Sequence, residues 1–472
     1  MQNRDRLFYQ YALLNLAVLQ ADFGCYQEAM VSIEETIATA RENKDMSCLN
    51  FSLSWLYHFG KAHASALSGL KHTNMLGIER EGLAFLRIKA KESSMWSLWS
   101  STLLSEAKMG LCNGESISTV FENIARSSHL SVTKNMLNNV GAQMMLQSSL
   151  WGRLGNAHLA NSYCEVFLRC YSRHAPFDDI LKFTARSAYL LAQKGQFTTA
   201  LQHLENLNGD SLRSLKMKQY WLRFRGLILL KRHLHKNHLS EAEELLTQLL
   251  SSQGGDFDLA FELHTLHIEL LTKRGDLSRA LERVDSLAIE LKEHGEDIYY
   301  RIKLLIIRAS LLDKCGRPQR GFSVAVRAAN AAWQARLLPL LWHAMGTISN
   351  ILNSLSEFEA ATRMLTAILP RALEIEDCAI MASLFGWLAD ANMGLAGEAT
   401  EDEVARRTHM EKAMVNIDRA FEEFVPLEDI NGMCEMTAKK ATILRVMGEV
   451  RLSDEYAAKY IELRRGHDKE NA

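Results

Sequence analysis

The sequence predicts an all-α fold, a solenoid of stacked helical hairpins, and three observations lead there. Proline, which breaks helices, occurs only five times, at Pro176, Pro318, Pro339, Pro370 and Pro426, and the good helix formers Ala, Leu, Glu, Lys, Arg and Met fill the stretches between. Apolar residues recur at helical spacing, without the two-residue alternation of a half-buried strand. One turn pattern also returns at a near-constant interval. At 472 residues the chain exceeds the length at which a single core usually stops growing, which favours an array or several domains.

The pattern is a turn residue, an aromatic or apolar residue two positions on, and a small residue three further. Its clearest copies are Gly24, Tyr26 and Ala29; Gly195, Phe197 and Ala200; and Gly275, Leu277 and Ala280. Weaker copies are Gly155, Ala157 and Ala160; Asn237, Leu239 and Ala242; Gly316, Pro318 and Gly321; and Ser356, Phe358 and Ala361. From Gly155 to Ser356 the turn positions stay about forty residues apart. Glycine supplies the left-handed conformation that ends the first helix, the apolar residue plugs the corner, and the small residue lets the second helix cross closely. Seven residues before the turn, Ala17, Ala188, Ala309 and Ser349 provide a second small contact, two helical turns back on the same face. Each hairpin leaves an apolar face that only stacking can cover, so the chain should build roughly a dozen hairpins. This is the pattern of tetratricopeptide repeats, stretched beyond their usual period of about 34, and it predicts a right-handed superhelix.

In chain order, residues 1–60 form the first repeat, and residues 61–150 keep helical periodicity but lose the turn signature. In that stretch Trp96, Trp99 and Leu103 share one helical face, read as core packing rather than a peptide groove. Residues 151–396 carry the regular array, 397–410 read as a charged loop insertion, 411–465 as C-terminal hairpins and 466–472 as a polar tail.

The 54 basic and 56 acidic residues, intermixed, give a net charge of −2, which offers no attraction to nucleic acid or to a membrane surface. No apolar run is expected to reach the ~18 residues of a membrane span, and the polar N-terminus reads as carrying no secretion signal, so a soluble protein is expected. The eight cysteines, at 25, 48, 112, 164, 170, 315, 378 and 434, form no C-x-x-C pair and read as buried, reduced thiols of a cytosolic or nuclear protein, without disulfides. Neither G-x-x-x-x-G-K-[ST] nor G-x-G-x-x-G is present, and there is no H-E-x-x-H helix and no G-x-S-x-G elbow. No cofactor and no catalytic residue are expected. Two histidine groups, His264 with His267 and His233 with His235 and His238, lack the further ligands a metal would need and read as surface histidines. Asn15 occupies a place where such repeats grip peptides, but Arg186, Leu266, Ile307 and Thr347 at the corresponding sites do not make a carboxylate clamp.

The opening stretch Tyr11-Ala-Leu-Leu-Asn-Leu-Ala-Val-Leu-Gln-Ala-Asp-Phe-Gly-Cys-Tyr-Gln-Glu-Ala29, with Ile33–Ile37, Ala40–Glu42, Asp45, Cys48–Leu49 and Leu53–Leu56, closely resembles the first repeat of the anaphase-promoting complex subunit 5 family. The resemblance continues more weakly through Leu150–Gly155, the hairpins around Gly195 and Ala242, Ala367–Pro370, the charged insertion and Met447–Gly448. It implies a non-catalytic platform subunit of the cell-cycle ubiquitin ligase, found in nucleus and cytoplasm. Platform subunits 1, 4 and 15 are the implied partners, with no homo-oligomer. Family members carry a helical domain ahead of the first repeat, whereas this chain begins almost at that repeat, as a fragment or a truncated gene model would. The terminal Lys469-Glu470-Asn471 matches the letters of a degradation signal read by the same ligase, a match that arises easily by chance. Apart from the resemblance, a peptide-binding adaptor or a regulatory array of another complex fits the same repeats.

Overall fold

The computed structural model describes residues 8–62, 79–207, 209, 211–251, 257–293, 297–399 and 401–470. Among them lie 22 α-helices and no β-strand, so the all-α expectation holds. The chain divides into two compact units, residues 1–146 with 292–296, and residues 147–291 with 297–472.

The first unit contains α1 (Tyr9–Asp22), α2 (Tyr26–Glu42), α3 (Met46–Ala62), α4 (Glu79–Glu92), α5 (Trp96–Asn113) and α6 (Ile117–Thr133), followed in the chain by α7 (Val140–Arg153). Ala17, Ala29, Ile33, Ile37, Leu83 and Leu86 form its main core, with the Tyr26 ring 6.0 Å from that of Phe59. Around α5 and α6 the contact turns polar. Ser100 and Ser127 share a 2.8 Å hydrogen bond, and Gln143 donates to Ser127 at 2.9 Å and to Ser131 at 2.6 Å, all buried.

The second unit runs through α8 (Ala157–Val166), α9 (Phe177–Gln193), α10 (Phe197–Glu205), α11 (Leu215–His235), α12 (Leu239–Ser251), α13 (Phe257–Arg274), α14 (Leu277–Glu293) and α15 (Ile298–Lys314). It continues with α16 (Pro318–Gln334), α17 (Leu338–Ser354), α18 (Phe358–Ala372), α19 (Cys378–Glu398), α20 (Glu403–Leu427), α21 (Ile430–Val446) and α22 (Val450–Glu470).

Nearly every helix ends the same way. At the α1–α2 turn, Gly24 sits at φ +82° while Cys25 N–H donates to Gln20 C=O at 2.9 Å, the long bond of a Schellman motif. Gly155, Gly195, Gly275, Gly316 and Gly448 repeat it at positive φ, and Asn237 and Ser356 adopt the same conformation without glycine. The structure adds a second series between them: Lys44, Ser94, Asn135, Arg336, Glu376 and Glu428 are also left-handed. The series 316, 336, 356, 376 shows that the chain turns every twenty residues, within hairpins and between them alternately. Gly114, at φ +70°, makes the α5–α6 turn, and one extra residue before Ile117 shifts the pattern there.

Within hairpins, the positions seven before and five after the turn meet. Ala17 and Ala29, Ala188 and Ala200, and Ser349 and Ala361 are all fully buried. A Cβ added at Gly321 would stand 3.0 Å from the carbonyl oxygen of Ala309, so the helix backbones nearly touch. Two serines at these positions bond the facing backbone, Ser148 donating to Ala160 C=O at 2.8 Å and Ser453 to Ala441 C=O at 2.9 Å, whereas Ser349 donates to Met345 C=O of its own helix at 3.0 Å. Ala280 is fully buried against Phe261, Ile268 and Val284, and Leu277 packs at the edge of the same cluster.

Four expectations need correction. Residues 397–410 do not form a loop: α19 extends to Glu398 and α20 starts at Glu403, because the Asp402 carboxylate accepts from the amides of Val404 and Ala405 and caps the helix. The tail is helical as far as Glu470, and Asn471 lies outside the described residues. An apolar stretch long enough to span a membrane does exist in α19, whose mean hydropathy is 1.3. Half of it is buried, however, with Leu384, Phe385 and Leu388 in the main core of the second unit and Asp390 paired to Lys439. Cys25, next to a turn, and Cys170, at a π-helical extension of α8, are exposed, whereas Cys48 and Cys164 are buried.

The crossing geometry yields a test. Ala280→Asp places an unpaired carboxylate where no water reaches, and it should cost roughly 3 kcal/mol or more. Thermal melting by circular dichroism measures this, and an unchanged midpoint would mean that α13 and α14 do not cross at Ala280.

Candidate functional site

In tetratricopeptide arrays the first helices of successive hairpins line an inner face, and a ligand would be sought there. In the second unit that face is occupied by its own side chains. Lys303 of α15 donates to both carboxylate oxygens of Glu262 of α13 at 2.7 Å. Burial is the largest influence on Lys303 and opposes its charge, but Glu262, Tyr299 and Asp377 together outweigh it and raise the ammonium pKa. Tyr189 of α9 and Tyr299 of α15 are pushed up by burial and then by Glu262. His343 of α17 is lowered by burial, with Asp377 opposing the change and Lys303 assisting it. Arg153 pairs with Asp297 at 3.2 Å and lies 5.3 Å above the Tyr299 ring. The residues at the clamp positions follow suit. Leu266 and Thr347 are buried, Ile307 packs on a core cluster, and Arg186 passes so close to α7 that a Cβ on Gly152 would stand 2.6 Å from its Nη2. Asn15, in the first unit, is exposed.

The second unit also closes on itself. Arg232 of α11 makes a bidentate ion pair with Glu428, 2.7 and 2.8 Å, across 196 residues, or about five hairpins of forty residues. Lys236 reaches the same carboxylate at 3.4 Å, His235 lies 3.5 Å from Asp429, and Asn431 donates to Asn237 at 3.1 Å. Lys194 pairs with Glu376. Beneath these polar contacts, Leu427 is fully buried among Ala185, Ala188, Phe197 and Ala200. A Cβ on Gly195 would lie 2.6 Å from the backbone carbonyl of Pro426, so this glycine meets both a positive φ and a backbone in contact. Glu428 and Glu376 are themselves left-handed turn residues, and nothing in their local sequence marks them as turns or as clasp residues.

The histidines are not the surface residues expected. His264 is half-buried and its Nδ1 accepts from the Arg283 guanidinium at 3.0 Å, and burial followed by Arg283 brings its pKa down to about 4. A guanidinium at that nitrogen leaves no place for a cation. His233 and His238 come together with Glu241, which the sequence reading had not singled out. Trp96 and Trp99 are half-buried at 5.9 Å, with Lys134 4.4 Å above Trp96, while Leu103 is in the core. Four thiols are poorly suited to nucleophilic work: burial raises Cys48, Cys164 and Cys434, and burial with Glu423 brings Cys378 up to about 12.

Residues 1–63 match the family described as Anaphase-promoting complex subunit 5. The Schizosaccharomyces pombe protein of that name is 30% identical over 291 residues, 61% of this chain and 38% of its own length. The chain is similar in sequence to anaphase-promoting complex subunit 5. The Homo sapiens subunit 5 is 21% identical over 93% of this chain and 56% of its own length, so the chain spans 38% and 56% of the length of these two relatives. Among solved structures, the APC/C hetero-tetramer Cut9-Hcn1 aligns over 96% of this chain and 80% of the other, with 13% identity and a TM-score of 0.48. So loose a likeness leaves the fold to rest on the helices and turns described above.

The clasp can be separated from turn strain by comparing two glycines. Gly195→Ala and Gly275→Ala both force alanine to positive φ, at about 1–2 kcal/mol each. Only Gly195 has Pro426 against it, so its variant should lose a further ~1–3 kcal/mol through overpacking. Equal losses in urea denaturation would remove the contact. Glu428→Gln should cost about 1–2 kcal/mol. Arg232 holds Glu428 below its usual carboxylate range, so that contribution is complete above the unfolded pKa of about 4.3 and disappears as pH falls through the lower folded value. The gap between wild type and Glu428→Gln should therefore narrow in acid.

Proposed function

We propose that this chain is a subunit of an anaphase-promoting complex and acts there as a non-catalytic scaffold, placing catalytic and substrate-binding subunits by protein contact alone. The observation that carries the reading is similarity to subunit 5 sequences along most of the chain, strongest where the first hairpin lies. Its neighbours in this reading are other subunits of that complex, with platform subunits 1, 4 and 15 the specific candidates, and its place is the nucleus and cytoplasm.

The physical features support a scaffold over a peptide adaptor. An adaptor needs an open polar groove, and the inner face of the second unit is taken up by Glu262, Lys303, Tyr189 and Tyr299. A permanent subunit needs exposed apolar surface instead. On α1, Leu16 and Leu19 form one stripe with the flanking Phe8 and Phe23, opposite the buried face of Gln10, Leu13 and Ala17.

Deleting the last hairpin helix, residues 450–470, leaves the clasp at 426–431 in place and removes one outer surface. Ubiquitin ligase activity should then fall in step with the amount of assembled complex, while activity per assembled complex stays constant at matched catalytic subunits. Leu16→Glu with Phe23→Glu should likewise lower co-purification of other subunits without lowering the melting temperature. Intact assembly with abolished turnover would overturn the scaffold reading.

A further inference from the structure

We propose that the α11–α12 turn is a binding site for a zinc-class divalent metal ion, with His233, His238 and Glu241 as its three protein ligands and a water or other exchangeable donor as the fourth.

The turn geometry brings the three together. His233 lies in the last turn of α11, Asn237 takes the left-handed position at φ +59°, and His238 N–H donates to His233 C=O at 2.9 Å. Side chains at the two ends of that long Schellman bond are frequently neighbours, and here the two imidazole rings lie 6.1 Å apart between centroids. At the other described turns the corresponding pair is of different types, for example Leu271 with Asp276, Leu312 with Arg317 and Ala332 with Leu337. Here alone among the described turns both are histidines. Glu241 then occupies the third position of α12, from which a carboxylate reaches back over the start of its own helix.

The distances suit coordination better than hydrogen bonding. One donor atom from each residue lies within 4.8 Å of the other two. Nδ1 of His233 is 3.0 Å from Oε2 of Glu241, and Nδ1 of His238 is 3.5 Å from the same oxygen. Ligand atoms about 2.0–2.1 Å from a tetrahedral zinc stand about 3.3–3.4 Å apart, between those two values. His233 Nδ1 is buried and, despite its closeness to Glu241, makes no aligned hydrogen bond. A nitrogen and an oxygen that are near each other but not pointed at each other are arranged as two ligands of one ion. The neighbouring cations Arg232 and Lys236 do not oppose an ion strongly, because both are paired with Glu428. Glu241 is exposed, which leaves an entry path and an open position. A bound ion would tie the end of α11 to the start of α12 at the turn against which Asn431 and Glu428 are clasped, so its effect is structural.

The test uses the full chain, stripped of metal with a chelator and titrated with Zn2+ by calorimetry and with Co2+ by visible absorption. One equivalent should bind, Co2+ should develop the intense ligand-field bands of a four-coordinate site, and Zn2+ should raise the melting temperature. His233→Ala should weaken binding by more than about 100-fold, since loss of an outer-sphere partner alone costs about 10–100-fold. Glu241→Gln, on an exposed side chain that folding does not need, should do likewise, and His264→Ala should change nothing. Absence of stoichiometric binding to the wild-type chain would overturn the proposal. So would binding that survives Glu241→Gln and His233→Ala unchanged.

Discussion

A helix can reverse direction within two residues only if one of them takes a positive φ, so that the next amide bonds back to a carbonyl five residues earlier. That bond recurs from Cys25 to Glu449 and sets the twenty-residue rhythm on which the hairpins, their crossings and the placing of every polar cluster depend. Glycine is the cheapest residue there, but the chain tolerates lysine, serine, asparagine, arginine and glutamate in the same conformation. Once the turn is fixed, the residues seven before and five after it must meet, and their small size decides how closely the helices approach.

The closure of the second unit follows from repeating one rotation. After about five hairpins the chain comes back upon itself, and Leu427, Pro426 and Glu428 meet the helices around Gly195 and Arg232. A face that would otherwise be a groove becomes a lined interior, and charged residues inside it persist because they are paired: Lys303 with Glu262, Arg153 with Asp297. Surface for partners then has to come from outer helix faces and exposed ends. Function on this architecture is a matter of what the protein leaves uncovered.

Much of this was legible in the sequence. Gly24, Gly195 and Gly275, with the apolar and small residues after them, give the fold class and the hairpin register because glycine at a turn and alanine at a crossing have steric causes that act locally. The alternate turns were invisible, since Lys44, Arg336 and Glu428 have no composition that says turn, and only the interval between glycines hinted at them. The charged stretch after Glu398 was misread because acidic and basic residues suit a helix surface as well as a loop, and the cap at Asp402 decides between them. Contacts such as Arg232 with Glu428 could not be read at all: they depend on the summed rotation of five hairpins, to which each turn contributes a little. The histidine cluster was half legible, as His233 and His238 stood out while Glu241 looked like any other helix-surface acid.

An open array of repeats melts like a row of weakly joined beads, each contributing its own stability and a term for each neighbour, and it can fray from either end. The clasp between Gly195 and Glu428 removes that freedom for everything it encloses. The enclosed hairpins have no free end, so loosening any one of them strains a joint far away in sequence, and the segment should open as one cooperative block. The same joint must be made across nearly two hundred residues of chain before it returns any energy, which places its formation late in folding. On that order the inner face stays open to water until the joint closes, and its lining is completed by a late contact and not by the first collapse.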